Sequence, residues 1–302
     1  MNDSDDNRAI IFDSYRPKLL GLVYRITGSA VEAEDIVQET FLKWTVADQH
    51  KVKSQYAWLM TVATRISLDH LKSARVKRES YIGPWLPEPY LVDHKTPDKD
   101  IELDESITMA LLVLLEQLSP SERATFILHD VFDFNFNEIG GMLEKKGSTC
   151  RQLASRARSK ISRDTKQNSI NKDEHTKIVS AFFNAVKGGK MENLLSLLKE
   201  NIIFHSDGGG KASAALKLLE GRNKVATFIL NVVTPNVSDS ESQKAITSPL
   251  WFNGSPGIVV WVGSTPVSAF NFEIDNGLIG KIHVLRNPDK LELFKRVPRE
   301  KL

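Results

Sequence analysis

Apolar side chains recur every three or four residues through most of the first 160 positions, the spacing of helices that bury one face. Ile11, Phe12, Tyr15, Leu19, Leu22, Val23 and Ile26 predict a helix over residues 8–26, ended by Gly28. Ser29 with Glu32 forms a capping box that opens a second helix over 30–44. Its expected buried set is Val31, Ile36, Val37, Thr40, Phe41 and Trp44. After a loop over 45–54, Trp58, Leu59, Val62, Ile66 and Leu71 stripe a third helix that runs to Glu79. The period then breaks. Pro84, Pro87, Pro89 and Pro97 rule out a continuous helix between Tyr81 and Glu105, so this stretch reads as a linker, extended where prolines are dense.

Helical spacing resumes at Ile107. Ser119, Pro120 and Glu122 make a capping box with proline at the first helical position, and Asn135 with Glu138 repeats the device. A short turn over Lys145–Gly147 leads to a third helix, capped by Ser148, with Cys150, Leu153, Ala154, Ala157 and Ile161 on one face. Its other face carries Arg151, Gln152, Arg156, Arg158, Ser159 and Lys160. Two capped helices with a tight turn and a basic second member read as a helix-turn-helix, which makes DNA the first partner to consider. Gly140 and Gly141 weaken the middle helix by about 1 kcal/mol each relative to alanine. A close helix crossing accounts for Gly140, and nothing in the sequence accounts for Gly141.

Beyond a polar stretch at 164–173 the texture changes to α+β. Helices are expected over 175–186 (Ile178, Val179, Phe182, Phe183, Val186), 191–198 and 223–233. Strands are expected over 201–205, 257–262, 266–274 and 278–285, the last two joined by an Asp275–Asn276–Gly277 turn. Helices followed by a meander predict a curved sheet wrapped against helices, a cone with an internal pocket. The resulting organisation is a helical domain over 1–80, a linker over 81–106, a helix-turn-helix domain over 107–165, a linker over 166–173 and an α+β domain over 174–302.

Composition narrows this picture. The net charge is only +2, yet acidic and basic residues are segregated: Glu34, Asp35, Gln38 and Glu39 face outward from the second helix, and Arg65, Lys72, Arg75, Lys77 and Arg78 crowd the end of the third. The single cysteine, Cys150, excludes an intramolecular disulfide and fits a reducing compartment. With no apolar signal segment at the acidic N-terminus and no run long enough to span a bilayer, a cytoplasmic location is expected.

Three helices with a basic end, a linker and a helix-turn-helix closely resemble the two domains of an extracytoplasmic-function (ECF) sigma factor. The residues that carry the resemblance are EAEDIVQETFLKW (Glu32–Trp44), ATRISLDHLKSARVKRE (Ala63–Glu79) and LSPSERATFILHDVF through RQLASRARSKI. WLPEP (Trp85–Pro89), DGGGK (Asp207–Lys211) and NPDKL (Asn287–Leu291), in that order, resemble the subgroup with a SnoaL-like C-terminal extension. The resemblance implies two all-α sigma domains followed by an α+β SnoaL-like cone, and a factor that directs RNA polymerase core to promoters. Glu34, Asp35, Gln38 and Glu39 would dock on the β′ clamp helices, with the β flap a further contact. Arg65, His70, Lys72, Arg75 and Arg78 would follow the melted −10 element, and the acidic part of the linker would lie in the RNA path. Ser148, Arg151, Gln152, Ser155 and Arg156 would face the −35 element, with Arg158 and Lys160 on phosphates. Gly140, Gly141 and Gly147 depart from the usual pattern. The extension would act as an attached regulator through Trp85, Pro87, Asp207, Gly208, Gly209, Gly210, Lys211, Asn287, Pro288, Asp289 and Lys290, with Lys211 pairing to an acid on the first domain.

The resemblance implies a monomer that is not an enzyme and needs no metal or cofactor. Other readings stay open at the sequence level. The cone could bind a small molecule among Phe182, Phe204, Trp251, Trp261, Phe270 and Phe272, or use His205, Asp207 or His283 in catalysis. A ligand-responsive helix-turn-helix repressor is a third reading, and it leaves the N-terminal domain without a task.

Overall fold

The structure, a computed structural model, describes residues 3–91, 107–161, 172–233 and 245–297. The chain divides into two compact units. The first holds the N-terminal helices and the helix-turn-helix; the second holds the C-terminal domain together with residues 80–91 and 108–110.

In the first unit, α1 (Asp3–Thr27), α2 (Ala30–Thr45) and α3 (Gln55–Glu79) pack their periodic faces together. Phe12, Leu19, Leu22, Val23 and Ile26 meet Ile36, Val37 and Trp44 from α2 and Leu59, Met60 and Ala63 from α3, all buried. Trp44 packs against Trp58 with ring centroids 5.4 Å apart, and its indole N–H donates to the Arg8 carbonyl at 3.1 Å. Val31 departs from expectation, being 61% exposed. The buried stripe of α2 is Ala33, Ile36, Val37, Thr40 and Trp44. Val31 stands two residues, about 200° around the helix, from Ala33.

Among the described residues this unit also holds α4 (Met109–Leu115) from Leu111 onward, α5 (Pro120–Asp130), α6 (Phe136–Leu143) and α7 (Gly147–Ile161). Both expected capping boxes form, at Ser119–Glu122 and Asn135–Glu138. Helix α7 opens at Gly147, so Ser148 lies inside its first turn and is not the cap. Arg123 of α5, 3% exposed, ties the two helical groups together. Its guanidinium donates to the Ile26 carbonyl at the end of α1 (2.7 Å) and to the Leu115 carbonyl (2.8 Å), and it pairs with Glu116 (2.7 Å).

The second unit is α+β. Helices α8 (Lys172–Gly188), α9 (Met191–Leu195) and α10 (Arg222–Phe228) accompany a six-stranded sheet of order β2-β1-β6-β5-β4-β3. Its strands are β1 (Leu198–Asp207), β2 (Leu219–Glu220), β3 (Ala245–Phe252), β4 (Ser255–Val262), β5 (Thr265–Asp275) and β6 (Leu278–Leu285). Among the described residues, only β1 and β6 pair in parallel. The β5–β6 turn has positive φ at Asn276 (53°) and Gly277 (76°), as an Asn-Gly hairpin requires. Strand β3 has no counterpart in the sequence pattern. It contains Pro249, which an edge strand tolerates because one side of its backbone needs no partner.

The helical face of the sheet is a filled core. Phe182 packs edge-on to Phe272 (5.2 Å) and Phe183 to Phe270 (5.4 Å), while Phe204 meets Phe228 (5.3 Å). These rings contact one another within the core between helices and sheet. On the opposite face lie Phe252 and Phe294, edge-on at 5.3 Å, with α11 (Pro288–Leu291) and the 3-10 turn Glu292–Arg296 following β6.

Candidate nucleic-acid interface and docking cluster

The exposed side of α2 carries Glu34, Asp35, Gln38 and Glu39, all solvent-facing as expected. Leu42 (64% exposed) and Val46 (83% exposed) extend that side, and Val31 begins it. Positions 31, 34, 35, 38, 39 and 42 follow the helical repeat, so the acids are framed by bare aliphatic groups. The sequence pattern assigned Val31 to the core and passed over Leu42. An apolar residue out of phase with the stripe was the available signal.

Two residues expected along the −10 strand are already engaged. Arg65 donates from Nε to the Met142 carbonyl (2.9 Å) and from Nη2 to the Gly141 carbonyl (3.1 Å), and it pairs with Glu144 (3.3 Å). His70 meets Glu32 at 2.7 Å. Lys72 pairs with Asp69 on its own helix at 2.8 Å and stays exposed. Arg75 and Arg78 stand in the last turns of α3, and their side chains lie outside the described residues.

The helix-turn-helix is built on glycine. A Cβ on Gly140 would sit 2.6 Å from the Lys145 carbonyl, and one on Gly147 would sit 2.4 Å from Asn137 Oδ1. The tight α6–α7 turn therefore admits no larger residue at either position, which accounts for Gly147 as a departure from the pattern. At Gly140 the reason is the returning turn and not a helix crossing. Gly141 has open space around it, and nothing steric requires it.

Along α7, Ser148, Arg151, Gln152, Ser155 and Arg156 are exposed, and Arg151 lies over the Phe136 ring at 5.4 Å. The two expected phosphate contacts are tied down instead. Arg158 pairs with Asp130 (2.8 Å) and Lys160 with Glu122 (2.8 Å), so both hold α7 against α5. Burial disfavours the Glu122 charge, but hydrogen bonds from Lys160 and Ser119 outweigh it and keep the carboxyl below its ordinary range.

In the second unit the three short motifs converge. Asp207 is fully buried and accepts from the Tyr81 hydroxyl (2.5 Å), the Leu86 amide (2.8 Å) and Lys290 Nζ (2.7 Å). Lys290 also donates to the Leu86 carbonyl (2.5 Å) and lies 4.0 Å from the centroid of the Trp85 ring. Asn287 donates to the Tyr81 hydroxyl at 2.9 Å. A Cβ on Gly209, whose φ is +58°, would fall 2.4 Å from Asn287 Nδ2 and 2.8 Å from that hydroxyl; one on Gly208 would fall 2.2 Å from the Ala212 carbonyl, and one on Gly210 2.8 Å from Ile82. The glycines thus let the loop close over the 81–86 strap. Pro87 is buried beside it, and Pro288 supplies the first position of α11. Farther along, the Tyr90 amide and carbonyl pair with Asn253 at 3.1 Å each. Lys211 pairs with Asp289 (2.5 Å), within this unit and not with an acid of the first domain. Tyr81 and Leu86 were missed by the sequence reading. An aromatic at the head of a proline-rich stretch was the one hint.

His205 and His283 face each other in register on the sheet face away from the aromatic core, with rings 5.8 Å apart, and His283 Nε2 meets Glu273 at 2.7 Å. Burial, with help from His283, holds His205 down to about 4. The unfolded chain would take up that proton near 6.5, so the C-terminal unit is expected to lose stability as pH falls from about 6.5 toward 4. Thermal unfolding across that window checks this, and His205→Gln should flatten the dependence. Among the described residues no group of His, Cys, Asp and Glu is arranged to hold a metal ion, and no helix is long and apolar enough to cross a membrane.

Comparison with known proteins agrees with this layout. Residues 11–76 match Sigma-70 region 2, and residues 108–161 match Sigma-70, region 4. Over 288 residues the chain is 34% identical to the ECF RNA polymerase sigma factor SigJ of Mycobacterium tuberculosis, covering 92% of this chain and 91% of that protein. It is 31% identical over 284 residues to the probable ECF RNA polymerase sigma factor SigI of the same organism, covering 92% and 93%. The crystal structure of Mycobacterium tuberculosis extracytoplasmic function sigma factor SigJ aligns with a TM-score of 0.74 at 30% identity, over 93% of this chain and 97% of that one.

Proposed function

Because the chain belongs to the extracytoplasmic-function sigma factors, we propose that it directs RNA polymerase core to a restricted promoter set under the control of its own C-terminal domain. The family assignment rests on similarity along almost the whole length. The control rests on one observation: the segment joining regions 2 and 4 is bonded to the C-terminal domain through Asp207 and Lys290.

The α2 acids, framed by Val31 and Leu42, dock on the β′ clamp helices, and region 4 meets the β flap. Gln152, Ser155 and Arg156 read the −35 element, while Arg158 and Lys160 orient α7 through their ion pairs with Asp130 and Glu122. Arg75, Arg78 and Lys72 follow the −10 strand. In a polymerase holoenzyme the 81–106 linker runs through the channel prepared for RNA, and a strap held on the C-terminal domain cannot also run there. Tethering makes such a contact effective even where its intrinsic affinity is low.

Reconstituted transcription tests this reading. Full-length protein with core polymerase should give promoter-specific transcripts. Arg156→Ala should reduce them by about tenfold, the worth of one base contact. Removing residues beyond Lys172 should change their level. Equal transcript levels from the truncated and full-length chains would remove the case for control in cis.

A further inference from the structure

We infer that the C-terminal unit binds a small amphipathic anion in a cavity between the glycine loop after β1 and the first residues of the strap. The cavity holds about 500 Å³, a size suited to a small organic ligand, and none of its lining residues belongs to the aromatic core. Ile82 and Gly83 of the strap line it on one side, and Ser206, Lys211, Ala214 and Leu216 line it from the loop and its flanks. Two features call for an anionic head. Ser206 is 2% exposed, and its hydroxyl is bonded to no other described residue, so a buried polar group faces the cavity without a partner. Behind the cavity wall stands Arg286. Its Nη1 donates to the Ser213 carbonyl at 2.5 Å, its Nε is buried with no partner, and among the described residues no carboxylate pairs with it. A half-buried guanidinium without an acid leaves its positive charge uncompensated, and burial pulls its pKa below the ordinary value. Lys211 adds a second cation. Its ion pair with Asp289 is exposed on both sides, so sharing the ammonium with a ligand costs little.

The rest of the site is apolar. Ile82 is 59% exposed and Leu216 69% exposed, and both line the cavity. Each lies against a glycine across the seam between strap and loop. A Cβ on Gly210 would sit 2.8 Å from Ile82, and one on Gly83 would sit 3.8 Å from Leu216. An alkyl body laid along this seam takes both side chains out of water while the head meets Ser206 and the cations. A ligand so placed touches strap and loop at once. It binds only where Ile82 and Gly83 rest on the loop, so by linkage it stabilises the closed strap. The consequence for transcription rests on the proposal that the strap governs the use of polymerase; the binding itself does not.

The test is isothermal titration calorimetry of the full-length chain with hexyl phosphate, hexanoate, hexanol and inorganic phosphate as probes. Hexyl phosphate should bind about tenfold or more tighter than hexanol and than inorganic phosphate, since the first lacks the charged head and the second the alkyl body. Hexanoate shows which head is preferred: affinity equal to or above that of hexyl phosphate assigns a carboxylate, lower affinity assigns a phosphate, and either supports the site. Lys211→Ala and Ser206→Ala should each weaken hexyl phosphate about threefold, and Arg286→Gln about tenfold. In the wild-type chain hexyl phosphate should slow proteolytic cleavage of the 81–90 strap. Failure of both anions to bind at millimolar concentration, equal affinity for hexanol, unchanged affinity in every folded variant, or binding that leaves strap cleavage unchanged overturns the site. Should Arg286→Gln fail to fold, Lys211→Ala, whose side chain is exposed, and Ser206→Ala decide the question. Promoter-directed transcription with and without hexyl phosphate tests the control reading separately. Binding that meets these expectations but leaves transcripts unchanged supports the site and removes only its regulatory consequence.

Discussion

Asp207→Ala is expected to lower the stability of the C-terminal unit by about 3–5 kcal/mol, the usual result of removing one partner of a buried ion pair. The Asp207 side chain is 0% exposed and that of Lys290 6% exposed, so water cannot take over either role. The variant takes the carboxylate away from Lys290, which keeps the Leu86 carbonyl and the Trp85 and Tyr81 rings beside it, and takes that acceptor from the Tyr81 hydroxyl and the Leu86 amide. The damage should be confined to the strap. The Arg286 and Asn287 amides bond to the backbone carbonyl of residue 207, which the substitution keeps, so the β1–α11 junction survives. Tyr81→Phe, which removes a single donor to a charged group, should cost about 1–2 kcal/mol. Denaturant unfolding measures both, and limited proteolysis should cut the 81–90 strap in Asp207→Ala well before the sheet. If that variant unfolds like wild type with an uncut strap, the cluster does not hold the linker. If the strap is released and transcription is unchanged, the cluster is structural only.

How much of this was legible in the sequence differs by element. The capping boxes at Ser119 and Asn135 were readable because every group involved lies within three residues, and the hairpin at Asn276–Gly277 because its backbone demands those residues. Strand β3 was not readable. Its Pro249 argues locally against a strand, and only its place at the sheet edge removes the objection. Among candidate site residues, exposure of the α2 acids followed from periodicity, whereas the partners of Arg65, Lys211 and Lys290 depend on which loops meet. Sequence separation explains the difference: Lys290 finds Leu86 across 204 residues and Arg65 finds Met142 across 77, distances over which no local pattern carries information. The three short motifs meet in one cluster, which their separate places in the sequence do not show. Lys211 was placed on the wrong partner, since a lysine beside three glycines says nothing about which acid lies opposite.

Charge on α7 shows the same limit. A basic helix face suggests that each cation meets DNA, yet Asp130 and Glu122 on α5 already hold Arg158 and Lys160. These pairs orient the helix, and among the described residues the exposed arginines of α7 that meet no acid are Arg151 and Arg156. The sequence held a clue in Glu122, which caps α5 and also receives Lys160. One carboxylate thereby links the start of one helix to the end of another.

The largest loss of activity without loss of fold is expected from Leu42→Arg. Leu42 is 64% exposed on the same side of α2 as Asp35, Gln38 and Glu39, so the substitution should leave the melting temperature within about a degree or two of wild type. At a protein interface, a bare aliphatic group ringed by charges is the arrangement of a central contact that excludes water. Placing a guanidinium there should weaken binding to RNA polymerase core about thirtyfold or more, equivalent to one central contact of about 2 kcal/mol. Reversing Asp35 to lysine should act differently. A rim charge chiefly steers encounter, so its effect should fall on the association rate and fade as salt is raised, while that of Leu42→Arg should persist. Competition of each variant against labelled wild-type protein for core polymerase at low and high salt separates the two. Wild-type affinity for Leu42→Arg would mean that polymerase docks elsewhere and that the exposed leucine has another partner.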